Sequence, residues 1–264
     1  MALRLVRTAH PIPALAVTAL TMLLAASAGV RAPTAVALFM AILSGQLVVG
    51  WSNDLLDRER DRRVGRPDKP LATGQLSPGL VRSAIGAAGV VCVLTSLLCG
   101  LAAGLLHLTC GVGAALAYNL RLKSTVLSWL PYSLAFGSLP AVVSLARDPA
   151  SLPPLWMIAV GALLGCAAHL LNALPDLADD AATGVRGLPH RLAPTTVAPT
   201  AALILLVASV VAVLGRGTPP TAGQWLLLIA VLVLAVSVTC TTGKKPFYAA
   251  IVIAGVNVVM LLTG

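Results

Sequence analysis

Residues 34–61 read TAVALFMAILSGQLVVGWSNDLLDRERD. The first nineteen, Thr34 to Ser52, carry no charge, and the next nine, Asn53 to Asp61, carry four acids and two bases. An uncharged apolar run of that length matches the roughly 20 residues needed to cross a bilayer as a helix. Inside lipid the backbone must satisfy its own hydrogen bonds, which selects the α-helix. The abrupt change at Asn53 marks where hydrocarbon ends.

The rest of the chain follows this stretch. Of 264 residues, 58% are apolar and only 10% are charged, and the mean hydropathy is +0.93. Soluble domains carry about 25% charged residues, so a soluble globular enzyme is excluded. Apolar runs at about 11–30, 34–52, 80–99, 102–118, 126–146, 153–174, 195–214, 222–241 and 246–263 predict nine transmembrane helices and an all-α fold with no soluble domain. Arg4 and Arg7 ahead of an apolar run ending at Ala26-Ser27-Ala28 imitate a secretory signal peptide. In a chain polytopic throughout, that run is read as the first membrane helix. The five cysteines form no CxxC pair and all lie in apolar runs, which indicates neither a disulfide framework nor a zinc site.

Fifteen of the eighteen Lys and Arg fall on one side of this topology, leaving only Arg31, Arg147 and Arg216 on the other. The positive-inside rule makes the first side cytoplasmic, in a cell membrane. It also explains the net charge of +9 without a nucleic-acid partner. Eight of the nine acids share that side, in two clusters: Asp54, Asp57, Glu59, Asp61 and Asp68, then Asp176, Asp179 and Asp180.

A shift of 119 residues lays Asn53 on Asn172, Asp57 on Asp176, Asp61 on Asp180, Gly65 on Gly184 and Pro70 on Pro189. It predicts one membrane domain over 1–264, made of two four-helix repeats, about 1–119 and 120–238, and an extra helix at about 246–263. Units with an even number of spans share an orientation, so both clusters arrive at one membrane face, across a central cavity.

In each cluster an Asn and two Asp spaced by four residues fall on one face of a helix, although Pro175 loosens the second. Stacked carboxylates repel, by about 4 kcal/mol for two charges at 4 Å and an effective dielectric near 20, and so call for cations. Oxygen-only donors suit Mg²⁺, which bridges a few carboxylates to a phosphate. Arg58, Arg62, Arg66, Lys69 and Lys123 stand ready for the remaining phosphate charge. An anionic head with an apolar tail, a prenyl diphosphate, fits these features. The bland alternative, charges mixed for topology in a solvated loop, serves equally well for Glu59, Asp68 and Asp179.

These motifs resemble those of the UbiA superfamily of intramembrane prenyltransferases. Asn53, Asp54, Asp57 and Asp61 meet its N-D-x-x-D-x-x-x-D motif, and Asp176 and Asp180 its D-x-x-x-D motif. Residues 66–74, RPDKPLATG, resemble its R-P-L-x-x-G segment, with Lys69 where Arg is usual. Tyr118-Asn119-Leu120-Arg121-Leu122-Lys123 resembles its loop after the fourth span, and Arg7 followed by Pro11 its opening. Gly187-Leu188-Pro189 departs from a Thr-Leu-Pro-like segment. The resemblance implies nine helices around a cavity with polar caps over a Mg²⁺–diphosphate site. It implies metal binding by Asn53, Asp54, Asp57, Asp61, Asp176 and Asp180, with Asp57, Asp61, Asp176 and Asp180 catalytic. Substrate would be held by Arg7, Asn53, Arg66, Lys69, Tyr118, Lys123 and Asn172.

The activity so implied is Mg²⁺-dependent transfer of a prenyl group to a lipophilic acceptor, within membrane lipid. A terpene cyclase of the same superfamily, needing no acceptor, is the alternative, and a secondary transporter a more distant one. Trp129, Tyr132 and Phe136 share a helix face and could steady an allylic cation, though an interfacial aromatic belt explains them as well. His169 lies on the second motif's face and could take a proton from an acceptor; a hydrogen-bonded helix histidine is the plainer account. His10, His107 and His190 carry no clear signal.

Overall fold

The computed structural model describes residues 1–262. Among these there is no strand. Twelve α-helices are joined by turns and loops: α1 (Ala2–Thr8), α2 (Pro11–Ser27), α3 (Ala32–Arg63), α4 (Pro78–Leu98), α5 (Leu101–Leu106), α6 (Ala114–Leu120), α7 (Leu130–Leu145), α8 (Leu155–Ala173), α9 (Leu177–Ala182), α10 (Pro194–Leu214), α11 (Ala222–Cys240) and α12 (Lys245–Leu262). A π-helical turn, His107–Gly113, joins α5 to α6 into one span. Seven helical segments are long and apolar enough to cross a membrane, and α1 with α2, bent by 69°, make an eighth. The ninth predicted crossing is the shorter apolar α12; its final residue, 263, lies outside the described residues. The protein is a multi-pass, all-helical membrane protein.

Local chemistry sets the helix ends. Proline, whose missing N–H costs nothing in a first turn, opens α2, α3, α4, α7 and α10. Ser77 caps α4 by accepting from the Leu80 N–H at 3.1 Å. Thr221 and Gln224 form a reciprocal capping box on α11. Close helix contact rests on glycine, because lipid supplies little hydrophobic drive between helices: a Cβ on Gly50 would stand 2.5 Å from the Ala9 carbonyl, and one on Gly161 2.5 Å from that of Phe136. Three apolar clusters form the core, centred on α8 with α10–α12, on α2 with α3, α5 and α7, and on α3 with α4.

Helix α3 positions the first motif. Its 32 residues extend about 48 Å, against a hydrocarbon core of about 30 Å. Its last turns, carrying Asn53 to Asp61, therefore project beyond the lipid as rigid helix. The second motif has no such support. Leu174–Asp176 is a 3₁₀ turn and α9 is a separate short helix, as Pro175 predicts.

Candidate active site

A cavity of about 490 Å³ runs from the polar ends of the helices into the bundle. Asn53, Asp57 and Asp61 of the first motif line it, as do Asn172, Asp176 and Asp180 of the second. Arg7, Arg66, Lys69, Tyr118 and Lys123 line it too. Its other end is hydrocarbon: Val17, Leu20, Ile42, Leu139 and Leu164.

Each cap is closed by the same turn. Arg66 N–H reaches the Asp61 carbonyl at 3.0 Å after Gly65 at φ +70°, and Val185 N–H reaches the Asp180 carbonyl at 2.8 Å after Gly184 at φ +85°. This left-handed helix ending favours glycine. It turns both chains back toward the cavity at positions 119 apart in sequence.

Base side chains tie the caps together. Asp57 pairs with Lys123 and with Arg60 Nη2 at 3.1 Å, and accepts from Asn53 Nδ2 at 3.3 Å. Arg60 also lies 3.7 Å from Asp61 and, through Nη1, 3.4 Å from Asp180 of the other cap. Arg66 reaches across at 2.9 Å to Asp176 while its Nε holds Asp68 at 3.2 Å. Burial alone would raise the Asp68 carboxyl, but the Arg66 guanidinium holds it below the ordinary carboxylate range. Asn53 is steadied by Asn119 at 3.1 Å, which donates in turn to the Val49 carbonyl at 3.0 Å.

Asp54 takes a different place from its neighbours. It is 2% exposed, is not among the cavity-lining residues, and faces His10 at 2.8 Å and Lys69 at 2.5 Å. His10 occupies the bend between α1 and α2 with left-handed backbone, φ 51° and ψ 64°. Such backbone is costly outside glycine, and here the carboxylate on α3 fastens the strained junction. No sequence signal pointed to His10. Arg60 had one, three residues after Asp57 on the same helix.

The second cap is docked through Ser128. The Leu188 N–H donates to Ser128 Oγ at 2.8 Å, and the same oxygen lies 2.9 Å from His169 Nε2. The serine hydroxyl so bridges the loop backbone and the imidazole. His169 is therefore a buried structural partner, set against the rings of Tyr118 and Tyr132, and is not among the cavity-lining residues. Gly187 explains the departure in the second loop: a Cβ there would meet the Lys123 carbonyl at 2.6 Å and Ser128 Oγ at 2.7 Å. Tyr132 and Phe136 line the cavity, Trp129 does not, and Tyr132 OH accepts from Asn172 Nδ2 at 3.1 Å.

The donors at the caps are carboxylate and amide oxygens. Among the described residues no group of three or more His, Cys, Asp or Glu is gathered closely enough to cage a metal ion. The arrangement fits a hard cation that takes few protein ligands and completes its shell with water and a bound phosphate.

Both the sequence and the fold have known relatives. The sequence model of the UbiA prenyltransferase family matches residues 14–260. The bacteriochlorophyll synthase 33 kDa chain of Cereibacter sphaeroides is 29% identical over 230 residues, 78% of this chain and 73% of that one. The UbiA homologue from Archaeoglobus fulgidus bound to GPP and Mg²⁺ superposes with a TM-score of 0.73 at 14% identity, covering 99% of this chain and 100% of that one. The apo UbiA homologue from Aeropyrum pernix K1 gives 0.76 at 17% identity, covering 93% and 96%.

Proposed function

The chain belongs to the UbiA prenyltransferase family, and on that footing we propose that it uses Mg²⁺ to ionise a prenyl diphosphate and passes the prenyl group to an apolar or aromatic acceptor. One observation carries this reading. Both acidic motifs border a single cavity whose deeper wall is mostly apolar, so one ligand can be charged at one end and hydrocarbon at the other. Family membership makes the chain a prenyltransferase rather than a transporter.

In this reading Asn53, Asp57, Asp61, Asp176 and Asp180 hold the metal, which when bound neutralises charge on the departing diphosphate. Asp54 serves instead to hold Lys69 and His10. Arg7, Arg66, Lys69 and Lys123 receive the phosphate oxygens, and Arg66 and Arg60 exchange their carboxylate partners for them as substrate enters. Asn172 and Tyr118 border the reacting end. The apolar wall keeps water from the allylic cation, and the faces of Tyr132 and Phe136 stabilise it. The asymmetry of Lys and Arg supports a cytoplasmic placement of the caps. The matching glycine turns support two parallel repeats, about 1–119 and 120–238, followed by an extra helix.

The test is diphosphate release by the purified protein from farnesyl diphosphate, with Mg²⁺ and with EDTA, and mass spectrometry of products with and without a quinone precursor. Mg²⁺-dependent release with a prenylated acceptor is the expected result. A cyclic product made without acceptor would move the assignment to the cyclase alternative. No release under any condition would overturn the reading.

A further inference from the structure

Below the caps the chamber is apolar except at one level. Gln46 on α3 and His107 at the start of the π turn both line it. Gln46 lies eleven residues before Asp57 on the same helix, about 16 Å along the axis. Ile42, a turn deeper, is again hydrocarbon.

The imidazole is held in place. Ser96 Oγ lies 2.8 Å from Nδ1. The ring is wedged between two glycines: a Cβ on Gly45 would stand 3.3 Å from Nε2, and one on Gly111 3.0 Å from Cδ2. The residue is 5% exposed. Among the described residues no hydrogen bond reaches His107 Nε2 or the Gln46 amide. Polar groups in hydrocarbon are costly without partners, and an intramembrane ionisable group points to function. A π turn placing such a group is a recurrent functional device.

We propose that His107 and Gln46 form a polar belt near the deep end of the chamber that selects the prenyl tail by its length. A tail ending above the belt leaves both groups to water. A tail running past it strips that water and offers no hydrogen bond in return, so it is disfavoured. This rests on the prenyl-diphosphate reading above.

The experiment measures diphosphate release from geranyl, farnesyl and geranylgeranyl diphosphate by wild type, His107→Leu, Gln46→Leu and His107→Gln. The ratio of kcat/KM for geranylgeranyl over geranyl diphosphate is the readout. It rises about tenfold or more in His107→Leu and less in Gln46→Leu, while His107→Gln, which keeps a polar group, holds the wild-type ratio. A ratio in His107→Leu within about twofold of wild type overturns the belt, as does an equal change in His107→Gln, which would make size the cause. Should His107→Leu not fold, Gln46→Leu carries the same comparison. Absence of release by wild type from all three substrates defeats the underlying reading. Release by wild type with an unmoved ratio in the variants defeats only the belt.

Discussion

The first cap rides on one continuous helix, whereas the second is interrupted inside its own motif. Asp57 and Asp61 are 9% and 5% exposed on the overhang of α3; Asp176 and Asp180, around a 3₁₀ turn and a six-residue helix, are 41% and 17% exposed. The spacing of four residues is shared, but the scaffold is not. One cap is a fixed reference, with its charges already met by Lys123 and Arg60. The other is a jaw on a broken scaffold, held by single bridges from Arg66 and Arg60 and by the Ser128 dock.

That contrast can be broken by experiment. Asp57→Asn is expected to have the largest effect, lowering kcat/KM for diphosphate release about a thousandfold, since removing one preorganised charge partner costs 10²–10³. Asp176→Asn follows at about a hundredfold. Equal losses at the two positions would erase the distinction between reference and jaw. Gly187→Ala pushes the second loop off Lys123 and Ser128 and is expected to cost about 1–3 kcal/mol, read as a lower melting temperature together with a raised KM. Hydrogen exchange sharpens the same point: amides of 176–190 exchange faster than those of 53–63 in the free protein and gain the greater protection with Mg²⁺ and geranyl diphosphate. The smallest effect belongs to Asp68. Its carboxyl is held below its ordinary pKa, so the Arg66 pair stabilises the fold above the ordinary carboxylate range and loses that contribution as pH falls through the lower folded value. Because Asp68 is 52% exposed, Asp68→Asn costs at most about 0.5 kcal/mol at pH 7, and its melting temperature converges with wild type as the pH falls below the ordinary carboxylate range and through the lower folded value.

Much of this was legible in the chain itself. Membrane spans announce themselves by composition, because lipid leaves a helix no alternative, and the four-residue spacing of Asn53, Asp57 and Asp61 needs only helix geometry to be read. Pro175 foretold the break in the second motif. What stayed hidden depends on distant partners. Arg66 meets Asp176 across 110 residues and Arg60 meets Asp180 across 120, so no local pattern encodes either pair. Asp54 carries the same motif letter as Asp57, yet its place on the helix turns it toward His10 and Lys69, and only packing decides that. The necessity of Gly187 arises from a carbonyl and a hydroxyl brought up from residues 123 and 128.

The overhang of α3 also bears on the host bilayer. Membranes differ in thickness by a few ångströms, and a helix absorbs the difference by tilting. The separation between successive motif carboxylates on α3 is written into peptide geometry and not into the lipid. The rigid half of the site should keep its dimensions in thin and thick membranes alike, leaving lipid composition to act on access to the chamber.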